Sequence, residues 1–564
     1  MPIHFLPKLG FFVLLTGVLS LWGCTASQQS QPAPVVPTKP LTPEQALVAQ
    51  VPIRGPADFG VVFTSGVQGS VKPCGCTQRP LGGVSRLATA LKHLRAHYGD
   101  NLLFLDAGDL LFEKSKPRAA VEQCQDEARI ELLLSTYKDL GVVQTVQGKR
   151  DTAAGLEKYK NWLETFQIHY AADAIVTTLQ RVGKKEIGLL ALRPEGEWTS
   201  LKPKVEQALH NLLQQQTDHV VVLSQLSLES LKSISWPSKG VDVILQGHDP
   251  GEAPKQPVSL GAQGPWVLFN GIQGQHLGVV HFSWPNGETD EPPQADLSFF
   301  NVAAEKKVLA IRLAGMEKRL KEATSDKQKI FLKKRISDTA SKLHALEHQK
   351  ADLPPEPAMR LFSFALVPEI TPHEDVEMAV ASYEQAIPDL VAQCEKDVIC
   401  EPAEEGDAVY VGVQTCAACH DAAVKHWRQA LHRRSPMDDT PVGHSRAWLT
   451  LEEINKTRDR TCVGCHSVGF NEPGGYCKTD EVGFLADVQC ESCHGAGSLH
   501  SVTGDPNFID REVPENHCRG CHHVPHIESY ESFKYEENLK IILGPGHGEK
   551  KWRQLMGDAA LTHD

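Results

Sequence analysis

Val488-Gln489-Cys490-Glu491-Ser492-Cys493-His494-Gly495 is the stretch from which the chain is most readily read. Cys-x-x-Cys-His is the attachment signature of c-type haem. Its two thiols add to the vinyl groups and its imidazole then reaches the iron, so the spacing tolerates little variation. The pattern recurs at Cys416/Cys419/His420, Cys462/Cys465/His466 and Cys518/Cys521/His522. Paired zinc ribbons or a disulfide cluster would use the cysteines, but neither explains a His after every second Cys. The predicted cofactors are therefore four covalently bound haem c, with His420, His466, His494 and His522 on iron.

A six-coordinate iron needs a second axial ligand, which gives the surplus histidines meaning. His426, His432, His444, His500, His517, His523, His526, His547 and His563 are available. His517 and His523 adjoin the fourth motif and are badly placed for their own haem. His500 follows a glycine turn, and His547 stands in Gly544-Pro545-Gly546-His547-Gly548. His444 heads a helix-compatible run, with His432 as its rival on the preceding segment. His432, His444, His500 and His547 are the distal candidates.

Other residues in this region carry a resemblance. Tyr410-Val411-Gly412 precede the first motif, Trp427 stands ahead of His432, and Pro473-Gly474-Gly475 lie between the second and third. With the opening octapeptide and His500, residues 407–550 resemble the tetrahaem cytochrome c family related to the electron acceptors of hydroxylamine oxidation. That resemblance implies mostly bis-His irons, with one that can stay five-coordinate and open to small nitrogen oxides. The family has a single His where this chain has both His432 and His444, so the choice between them stays open.

The 564 residues suffice for two or three domains, and the formal net charge of −13 implies a self-repelling surface and basic partners rather than nucleic acid. Redox proteins are the expected partners. Residues 1–24 read as a secretory signal: Lys8, an apolar run from Phe11 to Trp22 too short to span a membrane, then Gly23-Cys24. It resembles a bacterial lipoprotein signal, which implies an acylated Cys24, membrane attachment through that lipid, and an exported protein on the periplasmic face or cell surface. Thr25 in place of Asp favours the outer membrane. Residues 25–56, rich in Pro, Gln and Ser, read as a tether.

Beyond the tether the pattern alternates between strand and helix. Phe59–Ser65, Asn101–Ala107, His219–Ser224 and Val241–Gln246 read as strands, and Gly83–His97 and Val121–Leu140 as helices. Several strands end in Asp, Gly or His, as at Asp106-Ala107-Gly108-Asp109 and Gly247-His248. Residues 58–285 resemble the 5′-nucleotidase branch of the metallophosphoesterases in layout. Most of the ligands which that resemblance implies are missing: Gly66 and Gln68 stand for the first Asp-x-His, Gly148-Lys149-Arg150-Asp151 for Gly-Asn-His-Glu, Gln225 for a His, and Asp249-Pro250 for the end of Gly-His-x-His. Asp109 and His248 are the remnant metal-ligand candidates. Two-metal hydrolysis needs several carboxylates and imidazoles around ions about 3.5–4 Å apart, so the scaffold is expected without the phosphatase, as a binding or docking domain.

Lys72-Pro73-Cys74-Gly75-Cys76 admits two readings, a disulfide one, either a strained vicinal-type bridge or two bridges elsewhere with one to Cys124, and a redox or metal-binding thiol pair. Cys74, Cys76, Cys124, Cys394, Cys400 and Cys477 allow 15 pairings, and Cys394 and Cys400 are close enough in sequence for a local loop. Val302–Ala351 reads as an amphipathic helical hairpin broken near Ser325-Asp326, its charges forming a solvated face or, on the minority reading, a docking arm.

The predicted fold is α/β: a metallophosphoesterase-like β-sandwich flanked by helices (57–300), a helical hairpin (301–352), a connecting segment (353–406), a small, mainly α-helical and loop-rich multihaem domain (407–550) and a tail (551–564). Electron transfer is the leading function. Oxidoreduction of a small molecule at an open haem is the alternative, and metal-dependent nucleotide hydrolysis ranks last.

Overall fold

The computed structural model of the chain describes residues 59–73, 80–116, 120–237, 239–261, 264–284, 294–323, 325–347, 358–430, 432, 445–524, 526–527 and 532–556. The signal and tether with Cys24, the Cys74/Cys76 pair, His444 and His563 lie outside the described residues.

Phe59-Gly-Val-Val-Phe-Thr64 forms β1, buried along its whole length. The chain then alternates through α1 (Val84–Tyr98), β2 (Leu102–Asp106), α2 (Ala120–Asp139), β3 (Val142–Val146), α3 (Leu156–Thr165) and β4 (His169–Ala171). Next come β5 (Ile175–Val182), β6 (Lys185–Leu192), α4 (Trp198–Leu213), β7 (His219–Ser224), α5 (Leu228–Ser233), β8 (Val241–Gln246), β9 (Val258–Ser259), β10 (Trp266–Phe269), β11 (His276–Ser283) and β12 (Gln294–Asp296). The hairpin is α6 (Ser298–Glu322) and α7 (Asp326–Glu347); β13 (Ala358–Ala365) and α8 (Glu374–Glu395) follow it.

Two sheets result, ordered β12-β13-β11-β1-β2-β3-β4 and β5-β6-β7-β8-β10-β9. Because strand side chains alternate between faces, β1 serves two layers. Phe59, Val61 and Phe63 enter the core between the sheets, against Leu189, Val221 and Leu245 of the second. Val62 points the other way, into an apolar layer with Leu87, Leu91 and Leu94 of α1 and Ile130, Leu133 and Tyr137 of α2. On the far side, Leu190, Val220 and Ile244 meet Val205, Leu209 and Leu212 of α4. The layers run helix, sheet, sheet, helix. Gly278 of β11 permits the tight fit at the centre, since a Cβ there would stand 2.1 Å from the Phe63 ring.

The segment joining hairpin to haem region is part of this sandwich. Its strand β13 (Ala358–Ala365) pairs antiparallel with β11 (Val280↔Leu361) and parallel with β12. Helix α8 buries Val380, Ile387 and Val391.

Disulfides join Cys124 to Cys394 and Cys400 to Cys477. The local Cys394–Cys400 loop and a bridge from Cys124 to the Cys74/Cys76 pair are therefore corrected. Cys394 is in the last turn of α8, against α2, which carries Cys124. Cys400 lies past the helix end and reaches the haem region instead.

That region is built from short pieces: α9 (Val413–Ala417), α10 (Asp421–Gln429), α11 (Arg446–Glu453), α12 (Arg460–His466), α13 (Glu491–His494), α14 (Ser498–Thr503), α15 (Glu515–Cys518), α16 (Tyr535–Ile542) and α17 (Glu549–Met556). Its two apolar clusters are small, one of Val463, Val468, Tyr476 and Leu485 and one of Trp448, Leu451 and Ala486.

Candidate functional site

The cysteines sort into two sets. Cys124, Cys394, Cys400 and Cys477 are in disulfides, while all eight thiols of the Cys-x-x-Cys-His motifs are free. Thioether attachment requires that division. Each motif sits where a short helix ends, which puts its His beside the second thiol: Cys462, Cys465 and His466 on α12, Cys493 and His494 on α13.

The sequence treats the eight attachment thiols alike, and the structure corrects this. Cys419 and Cys521 are exposed, whereas Cys416, Cys462, Cys465, Cys490, Cys493 and Cys518 are half-buried. Cys419 comes just after α9 ends at Ala417, on a turn where Ala418 and His420 are exposed as well. Cys416, one turn earlier, faces inward toward Cys490. The first attachment site thus straddles the surface, with one thiol enclosed and one at the rim.

Imidazoles are brought close together in three places, near-parallel in the first, tilted by 38° in the second and edge-on at 81° in the third. His420 and His500 have ring centres 6.0 Å apart with planes at 19°, His432 and His522 are 6.0 Å apart, and His494 and His547 are 6.1 Å apart. A metal–imidazole bond is about 2 Å, so two rings on opposite faces of one metal stand with centres roughly 6 Å apart. Tautomers agree. His494 donates from Nδ1 to the Asp510 carbonyl, His500 to Asp505 O at 2.9 Å and His547 to Ile542 O at 2.9 Å. A carbonyl only accepts, so Nδ1 carries the proton and Nε2 keeps its lone pair for a metal. Burial lowers the pKa of His432, His522 and His547, favouring the neutral, ligating form. These residues fit c-type haem. His517 is oriented otherwise, with Nε2 on the Ser492 carbonyl at 2.8 Å. His523 donates from Nδ1 to Val524 O and approaches Glu113.

One available histidine was not among the four distal candidates. His426 on α10 lies 6.4 Å from His547, its Nε2 buried without a partner among the described residues. Gly544 packs on that ring so closely that a Cβ would sit 2.2 Å from it. The local signal, a helical His one turn and a half beyond the first motif, is common on surfaces and did not distinguish it.

The motifs interlock. Cys416 and Cys490 lie close enough to shift each other's titration, as do Cys465 and Cys521, and Cys518 helps to push up the Cys493 thiol. Glu491, buried between Cys490 and Cys493, accepts from the backbone N–H groups of Val411, Gly412 at 2.7 Å and Gly497 at 2.7 Å. It thus ties the entry to the first motif, the third motif and the turn leading to His500. A buried carboxylate holding several N–H donors is the arrangement that makes burying a charge tolerable.

The sandwich receives the haem region at the carboxyl ends of its strands. Gln273, after β10, donates to Val524 O at 3.0 Å in a buried contact, and Glu113, in the loop after β2, faces His523 at 3.6 Å. Nearby, Gln125 of α2 donates to Asp459 at 2.7 Å, and Arg460 forms a buried ion pair with Glu395 of α8.

At these same strand ends lies the remnant of the metal site. Asp109, held at φ 54°, accepts from the Arg150 backbone N–H and pairs with its guanidinium. Asp151 accepts from Asp109 N, Leu111 N and Gly148 N at 2.8–2.9 Å. Gly66 and Gln68, standing where ligands would be, donate their backbone N–H groups to Gly108 O and Asp109 O, and Gln225 caps Ala107 O at 2.6 Å. His248 is exposed. Among the described residues no group of three or more His, Cys, Asp or Glu is placed to hold a metal ion. At Asp109 the partner is an arginine cation, and at Asp151 the partners are backbone N–H groups. Burial pushes the Asp106 carboxyl up to about 6 and, with repulsion from Asp109, raises that of Asp151.

Free paired thiols, closely spaced imidazoles and a four-layer sandwich together define a multihaem c-type cytochrome on an α/β scaffold. Residues 415–495 match the family model described as cytochrome c554 and c-prime. The chain is 35% identical over 174 residues to cytochrome c-554 of Nitrosomonas europaea, covering 24% of this chain and 74% of that protein. It belongs to the cytochrome c554 family. Over part of its length the structure is also similar to a 5′-nucleotidase precursor of Thermus thermophilus (16% identity, TM-score 0.38, 61% of each chain). Another similar structure is the sulfate thiohydrolase SoxB of Thermus thermophilus (14%, 0.38, 67% of this chain and 69% of that one).

Proposed function

We propose that the protein is an exported, lipid-anchored tetrahaem electron carrier whose sandwich domain is non-hydrolytic and serves to dock the haem region. The observation that carries this reading is the set of closely spaced imidazoles beside eight free motif thiols. The thiols of Cys416/Cys419, Cys462/Cys465, Cys490/Cys493 and Cys518/Cys521 attach the four groups. His420, His466, His494 and His522 would hold the irons, with His500, His547 and His432 available as second ligands at the first, third and fourth. Bound haem supplies one-electron chemistry, and the chain sets its potential through axial ligands, burial and hydrogen bonds. The thiol contacts support a spatial order of first, third, fourth and second motif, with the second and fourth nearest the sandwich. Export and acylation at Cys24 follow from the lipoprotein-like signal and place the carrier at a membrane face, outer membrane favoured, where other redox proteins give and take its electrons.

Low-temperature electron paramagnetic resonance of the oxidised protein, with haem counted as the pyridine haemochrome, tests this. Four haems per chain, all low-spin, are expected. A high-spin signal from one iron would mark an open coordination position and turn the reading toward a small-molecule oxidoreductase.

A further inference from the structure

The hairpin is electrically unlike the rest of the chain. Residues 312–335, the outer part of α6 and α7, contain nine Lys and Arg against three Asp and Glu, while the formal net charge of the protein is −13. The hairpin root, residues 298–311 and 336–347, balances three of each. The root is also where the hairpin is fastened: Phe300 is buried with the inter-sheet core and Leu309 is buried too. At about 1.5 Å per residue, the 25 residues of α6 reach roughly 37 Å.

Apolar side chains are exposed along the same arm. Ile330 and Phe331 are 70% and 60% exposed, and Ile311 is 62% exposed. They are not the seam of the hairpin, which is formed by half-buried Leu313, Met316, Leu320, Leu332 and Ile336. Lys329, Lys333 and Lys334 flank the Ile330-Phe331 pair, and none of the three has a carboxylate partner among the described residues.

Unpaired lysines around an exposed apolar pair are the chemistry of a surface that sits at an anionic lipid interface, ring and aliphatic groups entering the headgroup layer while ammonium groups meet phosphates. Charge disfavours a second copy of the arm, since two tips would bring like charges together. We propose that the tip of the α6–α7 hairpin is a docking surface for anionic phospholipid membranes. The acidic remainder of the chain is repelled by the same surface, so the hairpin also orients the protein, tip toward the lipid. This second contact does not depend on acylation of Cys24.

The test uses the haem-loaded chain carrying Cys24→Ser, secreted behind an exchanged leader so that no acyl chain is present. Co-sedimentation is measured with vesicles of phosphatidylcholine alone and of equal phosphatidylcholine and phosphatidylglycerol. Binding to the mixed vesicles only, weakened by salt, is expected. The triple variant Lys329→Glu/Lys333→Glu/Lys334→Glu should lose about a hundredfold in affinity and Phe331→Ser about tenfold, with haem absorbance unchanged as the check on folding. Absence of binding to the mixed vesicles, equal binding to both kinds, or undiminished binding by the triple variant would overturn the proposal. So would mixed-vesicle binding that accompanies hairpin-dependent dimerisation in light scattering.

Discussion

The two halves of this molecule are held together by different means. In the sandwich, β1 alone sends Phe59, Val61 and Phe63 into one apolar layer and Val62 into another, and three large clusters of buried side chains support thirteen described strands. In the haem region, clusters of four and three buried side chains serve nine described helices, the longest of eight or nine residues. Isolated helices of that length are marginal in water, and so small a core leaves little to offset the entropy of ordering the chain. What remains is cross-linking, docking and the prosthetic groups. The comparison teaches that haem in this protein is core material as well as redox centre.

The largest expected effect follows directly. In Cys490→Ser/Cys493→Ser, which removes attachment at the third motif, backbone amides across 407–556 should exchange with solvent at rates near those of an unfolded chain. Amides of β1, β2, β7 and β8 should keep the protection of the native protein. Hydrogen exchange read by mass spectrometry separates the halves. Retained protection across the haem region of this variant would erase the contrast.

A smaller effect is expected where the halves meet. Arg460, two residues ahead of the second motif, pairs with Glu395 and also donates to Cys477 O and Asn471. Glu395 in turn accepts from Thr479 at 2.8 Å. Removing one member of a buried pair costs about 3–5 kcal/mol, whereas replacing both by apolar groups of like volume is nearly neutral. Arg460→Met should therefore destabilise the haem-loaded protein by about that much in urea, and Arg460→Met/Glu395→Leu should recover most of it. If the double variant is as weak as the single, Thr479 and Cys477 depend on Glu395 and Arg460 for more than charge balance.

Legibility in the sequence divides along the same line. The motifs of the haem region could be read outright, because thioether chemistry confines five residues to one spacing, whereas its tertiary partners could not. Nor could the spacing tell Cys416, turned inward, from Cys419 at the rim. His500 and His547 were within reach because glycine turns release them from their own motifs. His426 looked like any helical surface histidine until Gly544 was folded onto it. In the sandwich, strands ending in Asp109 and His248 stood out, as did the β7 and β8 limits. The β5–β6 pair did not, since its first strand alternates half-buried and exposed residues with no apolar run. Disulfide partners 270 residues apart, as Cys124 and Cys394 are, depend on which helices pack together, and no local pattern encodes that.

The smallest effect concerns the strand ends of the sandwich, where Arg150 pairs with Asp109. Arg150→Met removes the guanidinium but leaves its backbone N–H on Asp109. A charge-assisted hydrogen bond is worth about 1.5–3 kcal/mol, and with the Arg150 side chain 36% exposed solvent screening brings the expected cost to about 1–2 kcal/mol. Manganese added to the variant should confer no turnover of p-nitrophenyl phosphate, because Asp109 and Asp151 still lack imidazole partners. The pH dependence has a definite sign. Asp106, pushed up to about 6 by burial, and Asp151, raised by burial and by Asp109, bind protons more readily folded than unfolded. Their stabilisation is present below about pH 4 and is lost as pH rises through about 6 and beyond. Protonating Asp151, whose carboxyl is pushed up to about 8, also relieves its repulsion with Asp109, so the Arg150→Met deficit should be smaller near about pH 7 than near about pH 9. A deficit that does not change with pH would mean that the guanidinium packs rather than neutralises.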